Sequence, residues 1–243
     1  METLAFIWDN LASIARMTGE HLEIVGVGVG LAIVTGVPLG IAITINERLA
    51  KIVLYVAAIV MTIPSVALFG LMIPILSVIG QGIGFLPTVI ALFLYSQLPI
   101  VRNTYTAITN IDPALREAAR GMGMTPPERL RKVEIPIAMP IIMAGVRIAV
   151  VVNVGIAAIA AYIGAGGLGK LISRGISQSD PRQLIAGAIL VSVLAIVADI
   201  GLSWVQRWLT PKGLRAPSRA ASLALRLSAM KGFRKQTGHA QQS

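Results

Sequence analysis

Residues 112–136 form a polar interruption that gathers side chains able to do chemistry. Between long apolar runs they place four acids (Asp112, Glu117, Glu128, Glu134) and five bases (Arg116, Arg120, Arg129, Arg131, Lys132). A polar stretch this long between apolar runs, carrying its own helix signals, is the pattern of a docking element. Asp112 suits a helix N-cap, and Pro113 suits the first helical position, where its missing N–H costs nothing. That helix should run through Glu117, Ala118 and Ala119 and stop at Gly121. Thr125 and Glu128 have capping-box spacing for a second helix, which Pro136 should end. The spacing predicts a helix–turn–helix hairpin bent at Gly121 and Gly123, because glycine tolerates positive φ. The two alanines leave a bare surface for close approach, and the charges around them fix orientation more than affinity. From composition alone, a surface hairpin without a partner remains an equal reading.

Few other residues invite chemistry. The chain has no cysteine, so disulfides, thiolate chemistry and Cys-based metal sites are excluded, and its only two histidines, His21 and His239, lie near opposite ends, which argues against a His-based metal site. Gly164-Ala165-Gly166-Gly167-Leu168-Gly169 superficially resembles a phosphate loop, but no Gly-Lys-Ser/Thr follows it. It reads as a tight gate or re-entrant element, or as a plain turn. Arg147 and Asn153 lie inside an apolar run. A charge there is costly unless paired or hydrated, so Arg147 either lines the pathway or pairs with Asp199 or Glu134. Asn153 is either a pathway residue or polar glue between helices.

The elements that must position these residues are membrane spans. Of 243 residues 55% are hydrophobic and 13% charged, with mean hydropathy +0.78. A soluble domain carries about 25% charge, and a spanning helix needs about 20 apolar residues. Spans are expected near 22–44, 52–80, 85–108, 137–162 and 183–206, giving an all-α polytopic protein of about five transmembrane helices. Ten-residue segments of alternating polarity, the mark of a β-barrel, do not occur. Gly26, Gly28, Gly30, Gly36 and Gly40 allow close contact along the first span. Pro64 and Pro74 should kink or break the second, either as a plain proline kink or as a pathway-lining segment with Pro64 as its candidate residue. With the N-terminus outside, the inner side collects 16 Lys and Arg and the outer side 4. Lys and Arg accumulate in cytoplasmic loops, so the hairpin and the C-terminus are expected in the cytoplasm. The same bias explains the net charge of +10 without nucleic acid.

The run Glu117-Ala118-Ala119, three residues, Gly123, nine residues, Val133-Glu134-Ile135-Pro136 resembles the signature loop of bacterial ABC importer permeases, Glu-Ala-Ala-x3-Gly-x9-Ile-x-Leu-Pro. Val133 and Ile135 are conservative departures. Thr62-Ile63-Pro64-Ser65, Leu98 to Tyr105 and the glycine run at 164–169 look like the osmoprotectant branch, whose importers carry glycine betaine, carnitine or choline. The glycine run also recurs in methionine-type importers. The similarity covers roughly residues 22–207.

The resemblance implies a MetI-like type I fold in the bacterial inner membrane. It implies a permease subunit, not an enzyme, that binds no cofactor and leaves ATP to a partner chain. The implied partners are two cytoplasmic ATPases, a second permease copy or a related permease, and an extracytoplasmic binding protein. Glu117, Ala118, Ala119, Gly121, Gly123, Val133, Ile135 and Pro136 would form the ATPase-coupling loop. Pro64, Asn153, Gly164, Gly166 and Gly167 are the candidates for pathway or gate. The expected domains are an N-terminal lead at 1–21, the permease domain at 22–207 and a basic tail at 208–243. Two other readings stay open: a methionine-type importer, and a membrane scaffold whose tail binds lipid.

Overall fold

The computed structural model describes residues 2–210; the basic tail beyond, with His239, lies outside them. In chain order the elements are α1 (Glu2–Asp9), α2 (Leu11–Ala42), a 3-10 turn (Ile43–Ile45), α3 (Glu47–Thr62), α4 (Ser65–Ser77) and α5 (Phe85–Thr109). Then come α6 (Pro113–Gly121), α7 (Pro126–Arg129), a π turn (Leu130–Glu134), α8 (Ile135–Ile159), a 3-10 turn (Ala160–Ile163), α9 (Gly169–Ser177) and α10 (Pro181–Leu209). Every regular element among the described residues is helical. Four stretches are long and apolar enough to cross a membrane: Leu11–Ile45, Phe85–Thr109, Pro126–Ile163 and Pro181–Leu209. The pair α3 and α4, bent by 97° at its break, passes the same test only when taken together, as a broken span or a re-entrant loop.

The helix that carries the first span begins at Leu11, upstream of the expected span at 22–44. The earlier residues stay helical because Ile14 and Met17 bury against Leu168 and Leu171, so tertiary packing overrides their weaker hydropathy. In the second span Pro64 makes the break and Pro74 does not, since Pro74 lies inside α4. The break frees the carbonyl of Ile63, which accepts a hydrogen bond from the Tyr95 hydroxyl of α5. Covering a freed carbonyl with protein is what lets a broken helix persist at membrane depth. Leu68 and Phe69 of α4 pack with Ala91 and Tyr95 beside it.

The central helix is α5, against which α2, α3, α4 and α8 all pack. Of the α2 glycines, Gly28, Gly36 and Gly40 meet α5, while Gly26 and Gly30 face open space. A Cβ on Gly40 would stand 2.6 Å from the Thr104 Cβ. Small residues at such points let two backbones approach in lipid, where no hydrophobic effect drives helices together. The same rule applies where α8 crosses α5 at Gly145, as the Pro99 carbonyl lies 2.6 Å from where a Cβ would sit.

Candidate functional site

The hairpin forms with the expected caps. The Asp112 carboxylate accepts from the Ala114 N–H at 2.9 Å, and Pro113 opens α6. The Glu128 carboxylate accepts from the Thr125 N–H at 3.0 Å and from its hydroxyl at 2.8 Å. The bend differs in detail from its expectation: Gly123 alone takes positive φ (+77°), whereas Gly121 is the last helical residue of α6. The alanines also divide. Ala118 is exposed, but Ala119 is 1% exposed and faces inward. The bare surface therefore belongs to Ala118, flanked by Leu115 and Met122 at 44% and 69% exposure. These three residues, at i, i+3 and i+7, form an apolar stripe with Glu117 and Arg120 exposed beside it. Leu115 and Met122 were absent from the sequence-based set, although helical spacing about Ala118 could have found them.

Pro136 does not end the second helix. The short α7 widens into the π turn at Leu130–Glu134 and continues as α8, with Pro136 in its first turn. A proline in a continuing helix lacks its N–H and clashes with the carbonyl four residues back. The wider turn removes that clash; the Ile135 N–H reaches the Leu130 carbonyl, five residues back. Val133, Ile135 and Pro136 are half-buried at this junction. Leu130 and Ile135 pack against Ala107, Ile108, Ile111, Ala138 and Ile142, where α5 and α8 meet. Glu134, 5% exposed, points back into the hairpin. Its Oε1 lies 2.8 Å from Arg129 Nε and 3.2 Å from Arg116 Nε, and Arg116 also donates to the Ile108 carbonyl at 2.6 Å.

At the opposite end of the bundle the glycine run makes a tight loop in which Gly164, Gly166 and Gly167 have φ of +81°, +93° and +71°. The loop closes on α2. Glu20 accepts from the Gly167 N–H and from Lys170, each at 3.0 Å, while His21, 1% exposed, donates from Nε2 to the Val154 carbonyl at 3.0 Å. A Cβ on Gly167 would stand 2.8 Å from His21 Nδ1. Gly167→Ala therefore combines this crowding with a left-handed backbone costing roughly 1–2 kcal/mol. A lower thermal midpoint in detergent is expected, with Gly26→Ala, which has open space, as reference. Equal midpoints for the two variants would rule out the close approach.

Arg147 and Asn153, inside the spans, each donate to side-chain partners on another helix. Arg147 binds Asp199 through two hydrogen bonds of 2.8 Å and Gln206 through one of 2.9 Å. Asp199, not Glu134, is its partner. The pair borders a groove of about 420 Å³ walled by Ala144, Ile148, Val151 and Val152. Asn153 is 0% exposed and joins α8 to α5, donating to the Ser96 hydroxyl at 2.6 Å and the Leu92 carbonyl at 3.3 Å. Pro64 is exposed at the helix break. The structure thus gathers the hairpin residues at one end and the glycine loop at the other, with Pro64 and Asn153 apart from both.

Comparison with known proteins agrees with this architecture. Residues 32–212 match the family described as the inner membrane component of binding-protein-dependent transport systems. The osmoprotectant import permease protein OsmW of Salmonella typhimurium is 57% identical over 88% of this chain and 100% of its own length. The glycine betaine/carnitine/choline transport system permease protein OpuCB of Bacillus subtilis is 43% identical, over 88% and 96% respectively. Among solved structures, an inward-facing MetNI methionine ABC transporter chain superposes with a TM-score of 0.74 at 26% identity, covering 84% of this chain and 99% of that one. An all-helical bundle of four to five apolar spans that carries a capped hairpin, matched across most of its length, is a permease subunit and not an enzyme: the chain belongs to the family of binding-protein-dependent transport system inner membrane components.

Proposed function

We infer that this permease serves an ATP-driven importer of osmoprotectants of the glycine betaine, carnitine and choline class. The substrate class rests on the relatives, whose names specify such solutes at 40–57% identity. The methionine transporter is like this chain at 26% identity, so the methionine reading has less support. The scaffold reading gives way to the family.

The observation that carries the mechanism is the capped hairpin with its exposed Leu115–Ala118–Met122 stripe. We take it as the face that enters a groove on a cytoplasmic ATPase, with ATP held entirely on that partner. Two ATPases, a second permease and an extracytoplasmic binding protein complete the importer. The asymmetry of 16 basic residues against 4 supports an outside N-terminus with the hairpin and C-terminus inside. Closure of the ATPases would then move the hairpins, and α5 and α8 would follow. The glycine loop and the Pro64 break, near the outer half, are the elements suited to gate the pathway. Asn153 holds α5 and α8 together along it.

The test is uptake of radiolabelled glycine betaine in cells lacking other importers. Gly123→Pro forces φ from +77° toward about −65° and removes the Gly123 N–H bond to the Arg120 carbonyl (2.9 Å). Uptake at least tenfold below wild type is expected, together with loss of the ATPase during purification. Normal uptake with normal ATPase recovery would defeat the docking assignment. A wild-type complex that imports none of the three solutes would defeat the substrate class.

A further inference from the structure

Glu134 and Arg129 should not meet on a helix. Residues five apart lie about 140° away from one another around a regular α-helix, and only those three or four apart are neighbours. Here the Arg129 Nε to Glu134 Oε1 distance is 2.8 Å. The reason is the intervening π turn, which adds width to the helix at Leu130–Glu134 and is closed by the Ile135 N–H to Leu130 carbonyl bond. The π turn has its own cause two residues later. Pro136 offers no N–H and would press its ring on the Lys132 carbonyl in a regular helix. Single-turn π insertions are uncommon and cluster at functional sites.

The contact reaches further than its own helix. The same Glu134 oxygen takes Arg116 of α6, whose Nη2 donates to the Ile108 carbonyl in the last turn of α5. One carboxylate thereby ties together both arms of the hairpin, the end of α5 and the start of α8. Its side chain is 7% exposed and those of Arg129 and Arg116 are 18% and 29% exposed, so solvent screens this cluster far less than it does the Glu128–Lys132 pair nearby, at 46% and 62%.

We propose that Pro136, the π turn and Glu134 act as one register lock that fixes the hairpin's rotational setting on α5 and α8, and that this setting determines how much of the ATPase stroke reaches the spans. Glu134 is a positioning residue. It touches neither substrate nor nucleotide, and it acts through Arg116 and Arg129. Pro136 is the backbone device that places it. The lock rests on the permease reading alone and not on the identity of the solute.

The test uses the complete importer in proteoliposomes, with its ATPase and binding protein, and reads solute imported per ATP hydrolysed. Glu134→Gln removes the charge. Pro136→Ala keeps every charge, restores the N–H and lets the turn tighten to α. Each is expected to lower the ratio at least fivefold while the ATPase still copurifies, and the double variant should fall no further, because both act on the same device. A role in folding alone would lower the yield of complex and leave the ratio of what remains at the wild-type value. A ratio within twofold of wild type in both single variants would overturn the lock, as would additive losses in the double. If the wild-type complex imports none of glycine betaine, carnitine or choline, the solute assignment fails instead. The lock is then read from the stimulation of ATP hydrolysis by the binding protein, expected to collapse toward one in both variants and to stay at the wild-type value if the lock is wrong.

Discussion

Gly145→Leu is expected to abolish accumulation of folded permease, or to leave a remnant melting at least 10 °C below wild type in detergent. The position is where α8 crosses α5. An added Cβ would stand 2.6 Å from the Pro99 carbonyl oxygen and 2.7 Å from the Asn103 Cβ, and the first of these atoms is backbone. No rotamer change relieves that contact; the helices must separate. Separation would also stretch the Asn153 bond to Ser96 (2.6 Å) and loosen the core that Val146 and Ala149 share with Leu92 and Ile100. Overpacking typically costs about 1–3 kcal/mol where a core can adjust, and a backbone clash at a helix crossing lies at or beyond the upper end. Gly155→Leu on the same helix is the control, since nothing lies within 4 Å of its Cβ position. A Gly145→Leu protein as stable as the Gly155→Leu protein would refute the close crossing.

The second large effect concerns Arg147 and Asp199. Either one replaced alone, as Arg147→Leu or Asp199→Leu, leaves its partner charged within a span. Breaking a fully buried pair costs about 3–5 kcal/mol. These side chains are 28% and 38% exposed along the groove, and a charge left near the centre of a span costs about 2.5–3.5 kcal/mol, so a loss of that order is expected for either single variant. The double replacement should recover most of the loss, because an apolar pair of similar volume removes both desolvation penalties. Folded yield and thermal midpoint across the four proteins decide this. A double variant no better than the singles would mean that the network to Gln206 and the Pro140 carbonyl (2.9 Å each) needs the guanidinium itself.

Local chemistry was the legible part of the hairpin. Asp112, Thr125, Glu128 and Gly123 each act on residues within three or four positions, so their caps and bend could be read directly from spacing. Pro136 was misread for a physical reason. Proline forbids a regular helix but permits a widened one, and only packing against α5 makes the widened form worth keeping. Glu134 followed from that error, because its contact with Arg129 exists only in the widened turn. The early start of α2 was hidden similarly. Ile14 and Met17 are too few to mark a span, and their helix is stabilised by Leu168 and Leu171, more than 150 positions away. The glycines of α2 offered no way to tell Gly36 and Gly40, which touch α5, from Gly26 and Gly30, which do not; the choice depends on which face α5 occupies. Tyr95 gave no hint that it would cap the Ile63 carbonyl at the Pro64 break.

The unbroken run from Pro126 to Ile163 has a mechanical consequence. Its 38 residues amount to a rod of about 57 Å at 1.5 Å per residue. The tight crossing at Gly145 divides it almost equally, nineteen positions from Pro126 and eighteen from Ile163. A rod held at its midpoint is a lever with arms of about 28 Å. A swing of about five degrees carries each end about 2.5 Å, in opposite directions, by the same geometry. The end that joins the hairpin and the end that joins the glycine loop would then move by equal amounts and in opposite senses, with neither force nor displacement amplified between them.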